Sequence, residues 1–425
     1  MVEESREVMS AEEMSALSLK HTMFDWVPQS SVVPVPIEYA KGVYMYTPDG
    51  KRYLDFNSQL MSVNIGHGDQ RVIDAITAQA QKVCYVHPYT AHEPRARLGR
   101  KLAELTPGDL DVWFFTNGGA EANENAIRLA RHYTGRTKVL ARNRSYHGAV
   151  GATIVATGDP RRWGAEAGVS GVVRVPDFHK WGKPDPEPAD VALRELEEVI
   201  MYEGPQNIAA FILEPIVGTN GILIPPDGYM QGVRDLCTQH GIMLIADEVM
   251  SGFGRTGEWF AVDHWGIEPD LMSIAKGLTS SYVQLGAVGM SREMADTSGD
   301  TPFPAGLTYN SHALACATAL AVIDVYEQDD LIARAKRMGE VMADHHRRLR
   351  EKHPSVARTR SKGLFGIIDL TRDPDGYEPL APYNGTSDEM KAIGGYLKEH
   401  GLFTFLRFNM IHTNPPLTIS EEELA

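Results

Sequence analysis

From about position 111 the chain settles into a regular texture: short continuous apolar runs separated by longer stretches with apolar residues at helical spacing. The runs are 112–116, 138–141, 153–156, 209–213, 243–246, 271–275 and 287–290. A strand that is apolar throughout is covered on both faces, so the pattern predicts a mostly parallel sheet with helices on either side. Before this region the texture differs. Residues up to about Lys20 read as a short amphipathic helix, and 32–56 as short strands. Within the latter, 42–46 and 52–56 alternate around Thr47-Pro48-Asp49-Gly50-Lys51, a hairpin signal. Beyond Tyr309 the stretch 313–350 is helical, and 363–370 and 402–405 read as strands. The expected division is a large α/β unit over 67–310 and a smaller α+β unit built jointly from 1–66 and 311–425. Ser420-Glu421-Glu422-Glu423 carries a capping box for a last helix, yet the sequence stops two residues later, so that element is expected to be cut short.

Composition narrows the class. A chain of 425 residues exceeds what one ordinary core organises. A formal net charge of −15 disfavours nucleic acid or an anionic membrane as partner. The cysteines, Cys84, Cys237 and Cys316, are odd in number and widely spaced, giving neither a disulfide framework nor a zinc motif. The N-terminal stretch is acidic without the apolar centre of a signal peptide, and no apolar run reaches membrane-span length. A cytoplasmic enzyme is the expectation.

In parallel sheets ligands bind beyond the carboxyl ends of the strands, so chemistry is sought there. After 112–116 comes Asn117-Gly118-Gly119-Ala120-Glu121-Ala122, where glycines before a helix free backbone N–H groups for a phosphate; an ordinary turn is the competing reading. Glu214-Pro215 follows 209–213. After 243–246, alternation sets Asp247 and Val249 on one face and Glu248 on the other. A carboxylate beside an apolar side chain suits a flat heteroaromatic ring, although a salt-bridged aspartate has the same signature. Lys276 follows 271–275; a lysine there is ordinarily a surface charge, but one facing the same crevice as Asp247 can be desolvated enough for Schiff-base chemistry. Tyr146, in Tyr146-His147-Gly148, is placed to stack on a ring or to fill a core. A phosphate cradle, a stacking aromatic, a ring-nitrogen carboxylate and an imine lysine are the parts that pyridoxal phosphate needs.

With these residues the sequence resembles the class III (omega) aminotransferases of the type I pyridoxal-phosphate fold, from about His21 to Leu417. The best-matched stretches are Leu54-Asp55-Phe56 with Gly66-His67, 117–131, Ser145-Tyr146-His147-Gly148, Glu214-Pro215, Asp247-Glu248-Val249 with Gly252-Phe253-Gly254-Arg255-Thr256-Gly257, Lys276-Gly277 and Pro415-Pro416-Leu417. The run Gly118-Gly119-Ala120-Glu121-Ala122-Asn123-Glu124-Asn125 is most similar to taurine–pyruvate and omega-amine transaminases. The resemblance implies pyridoxal 5′-phosphate as cofactor, with Lys276 as Schiff-base lysine and proton shuttle and Asp247 as partner of the ring nitrogen. It further implies Val249 and Tyr146 on the two ring faces, Gly119 and Ala120 on the phosphate, and Glu214 near the ring hydroxyl. Thr308 would reach the phosphate of a neighbouring subunit, so a homodimer or dimer of dimers is implied. Arg407 matches the region of the family's carboxylate-binding arginine. Two departures stand out: Ala120 lacks the hydroxyl often found at that position, and Met61 stands where an entrance aromatic is common.

The implied activity is transfer of an amino group from an omega-amino acid or amine, taurine among them, to a keto acid such as pyruvate. Decarboxylation or an aminomutase shift on the same fold, and a non-catalytic binding protein, are the alternatives the residues leave open.

Overall fold

The computed structural model describes residues 9–165, 171–183, 185–373, 375 and 378–425. A helix at Ala11–His21, N-capped by Ser10, precedes β1 (Tyr39–Lys41), β2 (Tyr44–Tyr46) and β3 (Arg52–Asp55). β2 and β3 pair antiparallel as the Pro-Asp-Gly turn predicts, and the turn is closed by Thr47 N–H to Lys51 O at 3.0 Å.

The largest sheet holds β4 (Val112–Thr116), β5 (Lys138–Arg142), β6 (Val172–Val175), β7 (Ile208–Leu213), β8 (Met243–Asp247), β9 (Leu271–Ile274) and β10 (Gly286–Met290). Their spatial order is β4-β10-β9-β8-β7-β5-β6, and β10 alone in this sheet runs antiparallel to its neighbours. Every residue of β7 is buried. Alternation along these strands sends side chains into two separate clusters. Val139, Ala141, Ala210, Ile212 and Ile245 pack with the helix Gly119–Thr134. Leu140, Phe211, Leu213 and Leu244 pack with Ala189–Glu203 and Tyr229–His240 on the other face. Two covered faces are the physical reason these strands read as unbroken apolar runs.

One run is read wrongly from the sequence. Residues 153–156 belong to a helix, Gly151–Ala156, not to a strand. The Glu124 carboxylate accepts the N–H groups of Ala152 (2.7 Å) and Thr153 (3.2 Å), capping a helix whose last five residues are all buried. A helix buried all round carries no period to distinguish it from a buried strand. The strand that does follow β5 is β6, which the apolar pattern missed.

The helices Ala313–Gln328 and Leu331–Lys352 lead to β11 (Val356–Lys362), β12 (Phe365–Asp373), β13 (Glu378–Pro379), β14 (Leu402–Phe403), β15 (Leu406–Arg407) and β16 (Met410–Thr413). β11, β12, β16 and β15 form an antiparallel sheet with β13 beside β12. β14 leaves that sheet and pairs parallel with β3. The last helix, Glu421–Leu424, has its predicted capping box between Ser420 and Glu423. Among the described residues no helix is long and apolar enough to cross a membrane.

Arg255, fully buried, ties these parts together. Its guanidinium donates to the carbonyls of Leu364 (3.1 Å) and Pro415 (2.6 Å), to Ser58 Oγ (3.1 Å) and to Asn64 Oδ1 (2.7 Å). Burial pulls its pKa down to about 10, and four oxygen acceptors offset the lost hydration.

Candidate active site

The residues just past the carboxyl ends of β4, β5, β7, β8 and β9 meet around a cavity of about 310 Å³. Lys276 enters it directly after β9 from a left-handed backbone conformation, φ 43°. A non-glycine residue rests there only when its surroundings hold it. Here Leu278 N–H bonds Ala275 O at 2.9 Å, and Tyr326 Oη donates to Gly277 O at 2.8 Å. Burial lowers the pKa of the Lys276 amine, and the opposing attraction of Asp247 and Glu214 does not cancel it. The amine is therefore more readily neutral, and so nucleophilic, than a surface lysine.

Asp247 ends β8 with its carboxylate fixed by three groups. Oδ2 accepts from Asn123 Nδ2 (2.7 Å) and lies 2.8 Å from His147 Nδ1, while Oδ1 accepts the Val249 N–H (3.1 Å). A carboxylate has about four lone-pair directions, so one remains for a further donor. Glu248 points away and accepts the Val262 N–H at 2.8 Å; burial pushes its carboxyl up to about 7. Glu214, past β7, accepts the N–H groups of Tyr146 (2.9 Å) and Gly218 (2.8 Å), and burial raises its pKa.

The opposite wall starts at the helix Gly119–Thr134. A side chain at Gly119 would lie 2.6 Å from Val249 Cγ1, and one at Gly148 would lie 2.6 Å from Ala120 Cβ. These glycines let backbone and Val249 come together at the helix N-terminus, where free N–H groups suit an anion. Glu121 occupies some of the local donors, accepting Asn117 N–H at 2.8 Å and Asn117 Nδ2 at 2.9 Å.

Tyr146 forms another wall, and behind its ring stands Arg161, with the guanidinium carbon 3.7 Å from the ring centroid. Arg161 grips the fully buried Asp159 through Nε (2.9 Å to Oδ2) and Nη2. Arg407 reaches the same carboxylate, Nη2 to Oδ2 at 3.0 Å. Burial pulls the Arg407 pKa down to about 10, with repulsion from Arg161 next in effect.

Gly119, Ala120, Tyr146, Glu214, Asp247, Val249 and Lys276 are thus brought together around the cavity. Three other sequence candidates stand elsewhere. Arg407 is set back, paired with Asp159. Thr308 is exposed, its carbonyl accepting Tyr85 Oη at 2.6 Å. Met61 is 1% exposed and packs among Ile222, Met250 and Phe408 instead of facing the cavity. Positive φ at Ser58, Gln59 and Met61 turns the segment so that its neighbour Leu60 is the exposed side chain. Sequence reasoning missed His147 and Asn123 on Asp247, and Asp159 and Arg161 behind Tyr146. Asp159 caps the turn Pro160–Arg162, and its local spacing does not announce the ion cluster.

These residues fit pyridoxal phosphate. The donor set offers an amine with depressed pKa, a carboxylate with one direction free, an aromatic and a valine on the cavity walls, and a glycine-lined helix N-terminus.

Residues 27–425 match the family model described as aminotransferase class-III. The chain is 34% identical to an omega-aminotransferase of Caulobacter vibrioides, over 92% of this chain and 91% of that protein. It is 31% identical to a taurine–pyruvate aminotransferase of Bilophila wadsworthia, over 96% and 94%. Among solved structures, that of a taurine:2-oxoglutarate aminotransferase from Bifidobacterium kashiwanohense, in complex with PLP and glutamate, superposes with a TM-score of 0.94 at 39% identity, covering 98% of this chain and 96% of that one.

Proposed function

This chain belongs to the class-III aminotransferases, pyridoxal-5′-phosphate enzymes acting on amines and keto acids, and within that family we propose that it moves the amino group of an omega-amino acid or amine, taurine among them, to pyruvate or a related keto acid. The observation that carries this reading is the gathering of two guanidiniums, Arg161 and Arg407, on one carboxylate behind the Tyr146 wall. Two substrates must use one site by turns, and an arginine that can be paired internally serves both. It meets an acidic group when the substrate has one and rests paired with Asp159 when it does not. The activities for which the omega- and taurine–pyruvate aminotransferase relatives are named support the same substrate range.

Bound, the cofactor supplies the electron sink that acidifies the C–H bond beside the substrate nitrogen. Lys276 would hold the cofactor through its amine and would serve as the base that moves the proton between the substrate carbon and C4′ of the cofactor. Asp247, fixed by Asn123 and His147, would keep a proton on the ring nitrogen. Val249 and Tyr146 would confine the ring, Glu214 would stand toward its hydroxyl, and the backbone N–H groups at Gly119 and Ala120 would hold the phosphate. Thr308 would complete the phosphate site of a neighbouring subunit in a homodimer. Its exposure beside Tyr309 and Tyr85, whose rings meet edge-on at 5.8 Å, supports a shared aromatic face there.

The test is single-turnover measurement of the two half-reactions in Arg407→Ala. Loss of one charged pair should weaken pyruvate binding by roughly 1–3 kcal/mol, about tenfold to a hundredfold. The half-reaction with a carboxylate-free amine should change far less. Equal losses in both would make Arg407 structural. The same assay with pyruvate and 2-oxoglutarate ranks the acceptors.

A further inference from the structure

The glycine-lined end of the cavity is short of donors for an anion. The turn before Gly119–Thr134 offers the N–H groups at the helix start, those of Gly119 and Ala120. Both the Asn117 N–H and its Nδ2 are taken by Glu121, whose carboxylate adds a negative charge to the turn. Ala120 has no hydroxyl, and Lys276 is the one lysine or arginine among the described residues that line the cavity.

A further donor stands on the strand beside that turn. β10 pairs antiparallel with β4, Gly286 opposite Thr116, so two residues earlier Gln284 is level with Gly118. The two backbones are close: a side chain at Gly286 would lie 2.6 Å from Gly118 O. The segment that delivers Gln284 is fixed in place. Ser280 and Ser281 take left-handed conformations, φ 47° and 61°, which such residues keep only when their surroundings impose them. Here Ser280 Oγ accepts the Ile65 N–H at 3.1 Å, and Thr279 Oγ1 donates to Val283 O at 2.6 Å. Tyr282 Oη accepts the Asp69 N–H at 2.7 Å. Gln284 then lines the cavity with an exposed side chain whose amide has no hydrogen-bond partner among the described residues.

We propose that Gln284 is a cofactor-binding residue, its Nε2 donating to the phosphate and supplying the hydrogen bond that Ala120 cannot. This rests on the reading of the 117–120 turn as the phosphate end. The amide carries two N–H donors, enough to reach two phosphate oxygens.

The test compares dissociation constants of pyridoxal phosphate and of pyridoxal, which has no phosphate, by equilibrium dialysis of the full chain. Gln284→Ala should weaken pyridoxal phosphate about tenfold, the loss of one hydrogen bond to a charged acceptor, and leave pyridoxal unchanged. Gln284→Glu, of the same shape, should weaken pyridoxal phosphate further by setting a charge against it. Equal loss with both compounds, or loss with neither, overturns the proposal. Gly118→Asp tests the turn separately. Its side chain has open space, and an aspartate at the N-cap stabilises the helix while occupying the N–H groups an anion would use. If Gly118→Asp leaves pyridoxal phosphate bound as in the parent, the reading of the turn fails and the proposal with it. If Gly118→Asp expels pyridoxal phosphate while Gln284→Ala retains it, the turn stands and the assignment of Gln284 alone is overturned.

Discussion

Lys276 and Asp247 occupy opposite electrostatic situations within one cavity. The lysine loses hydration without full compensation, whereas the carboxylate is held by Asn123, His147 and a backbone N–H. A lysine whose folded pKa lies below its usual 10.5 makes the folded state bind fewer protons than the unfolded one between those two values. Its burial therefore costs stability at neutral pH, and the cost fades as pH rises toward 10.5. Cofactor-free Lys276→Met should accordingly melt higher than the cofactor-free parent at pH 7, with the gap shrinking by pH 10. A gap independent of pH would contradict a charged-amine origin. Lys276 and Asp247 each follow or end an apolar strand, a place where ordinary charges are common, so both stood out in the sequence only through their convergence with the glycine turn and Tyr146 in one predicted sheet. His147 and Asn123 did not, since their role depends on three separate elements converging on Asp247, and nothing in local spacing encodes that.

At the scale of elements, the strand-to-helix turn at 117–120 is where sequence and geometry meet most closely. The glycine pattern predicted a helix N-terminus open to a phosphate, and the structure places Gly119 against Val249 with no room for a side chain. Ala120 is packed near Gly148, so threonine would bring an extra methyl group into a tight contact, whereas serine adds the hydroxyl alone. Ala120→Ser should tighten cofactor retention by about 1.5–3 kcal/mol if the hydroxyl meets the phosphate, read as slower loss of cofactor on dialysis. An unchanged rate would mean that the turn does not face it. The same turn also shows where patterns fail. Its helix carries Glu124, which caps 151–156 into a helix that hydrophobicity alone could not tell from a strand. Capping by a residue distant in sequence overrode the local reading.

At the scale of the molecule, the parts are joined by a few strongly satisfied groups. Arg255 links segments near 58–64, 364 and 415 through charged hydrogen bonds that no single neighbouring residue could supply. Arg255→Met should cost roughly 3 kcal/mol or more, since carbonyl and hydroxyl groups are left buried without donors. A urea midpoint moved by less than the error would show that water replaces the guanidinium. The sequence marked Arg255 only within a glycine-rich motif, because its partners are too scattered to form a local signature. The pairing of β14 with β3 has a different kind of consequence. Leu402 lies beside Leu54, so β3 is made well before its parallel partner. At roughly 5–20 residues per second, the β2–β3 hairpin emerges from the ribosome tens of seconds before its parallel neighbour exists. Over that interval its open edge is of the kind that templates another extended chain, and the charges of Lys51 and Arg52 where β3 begins are of the kind that discourage such pairing.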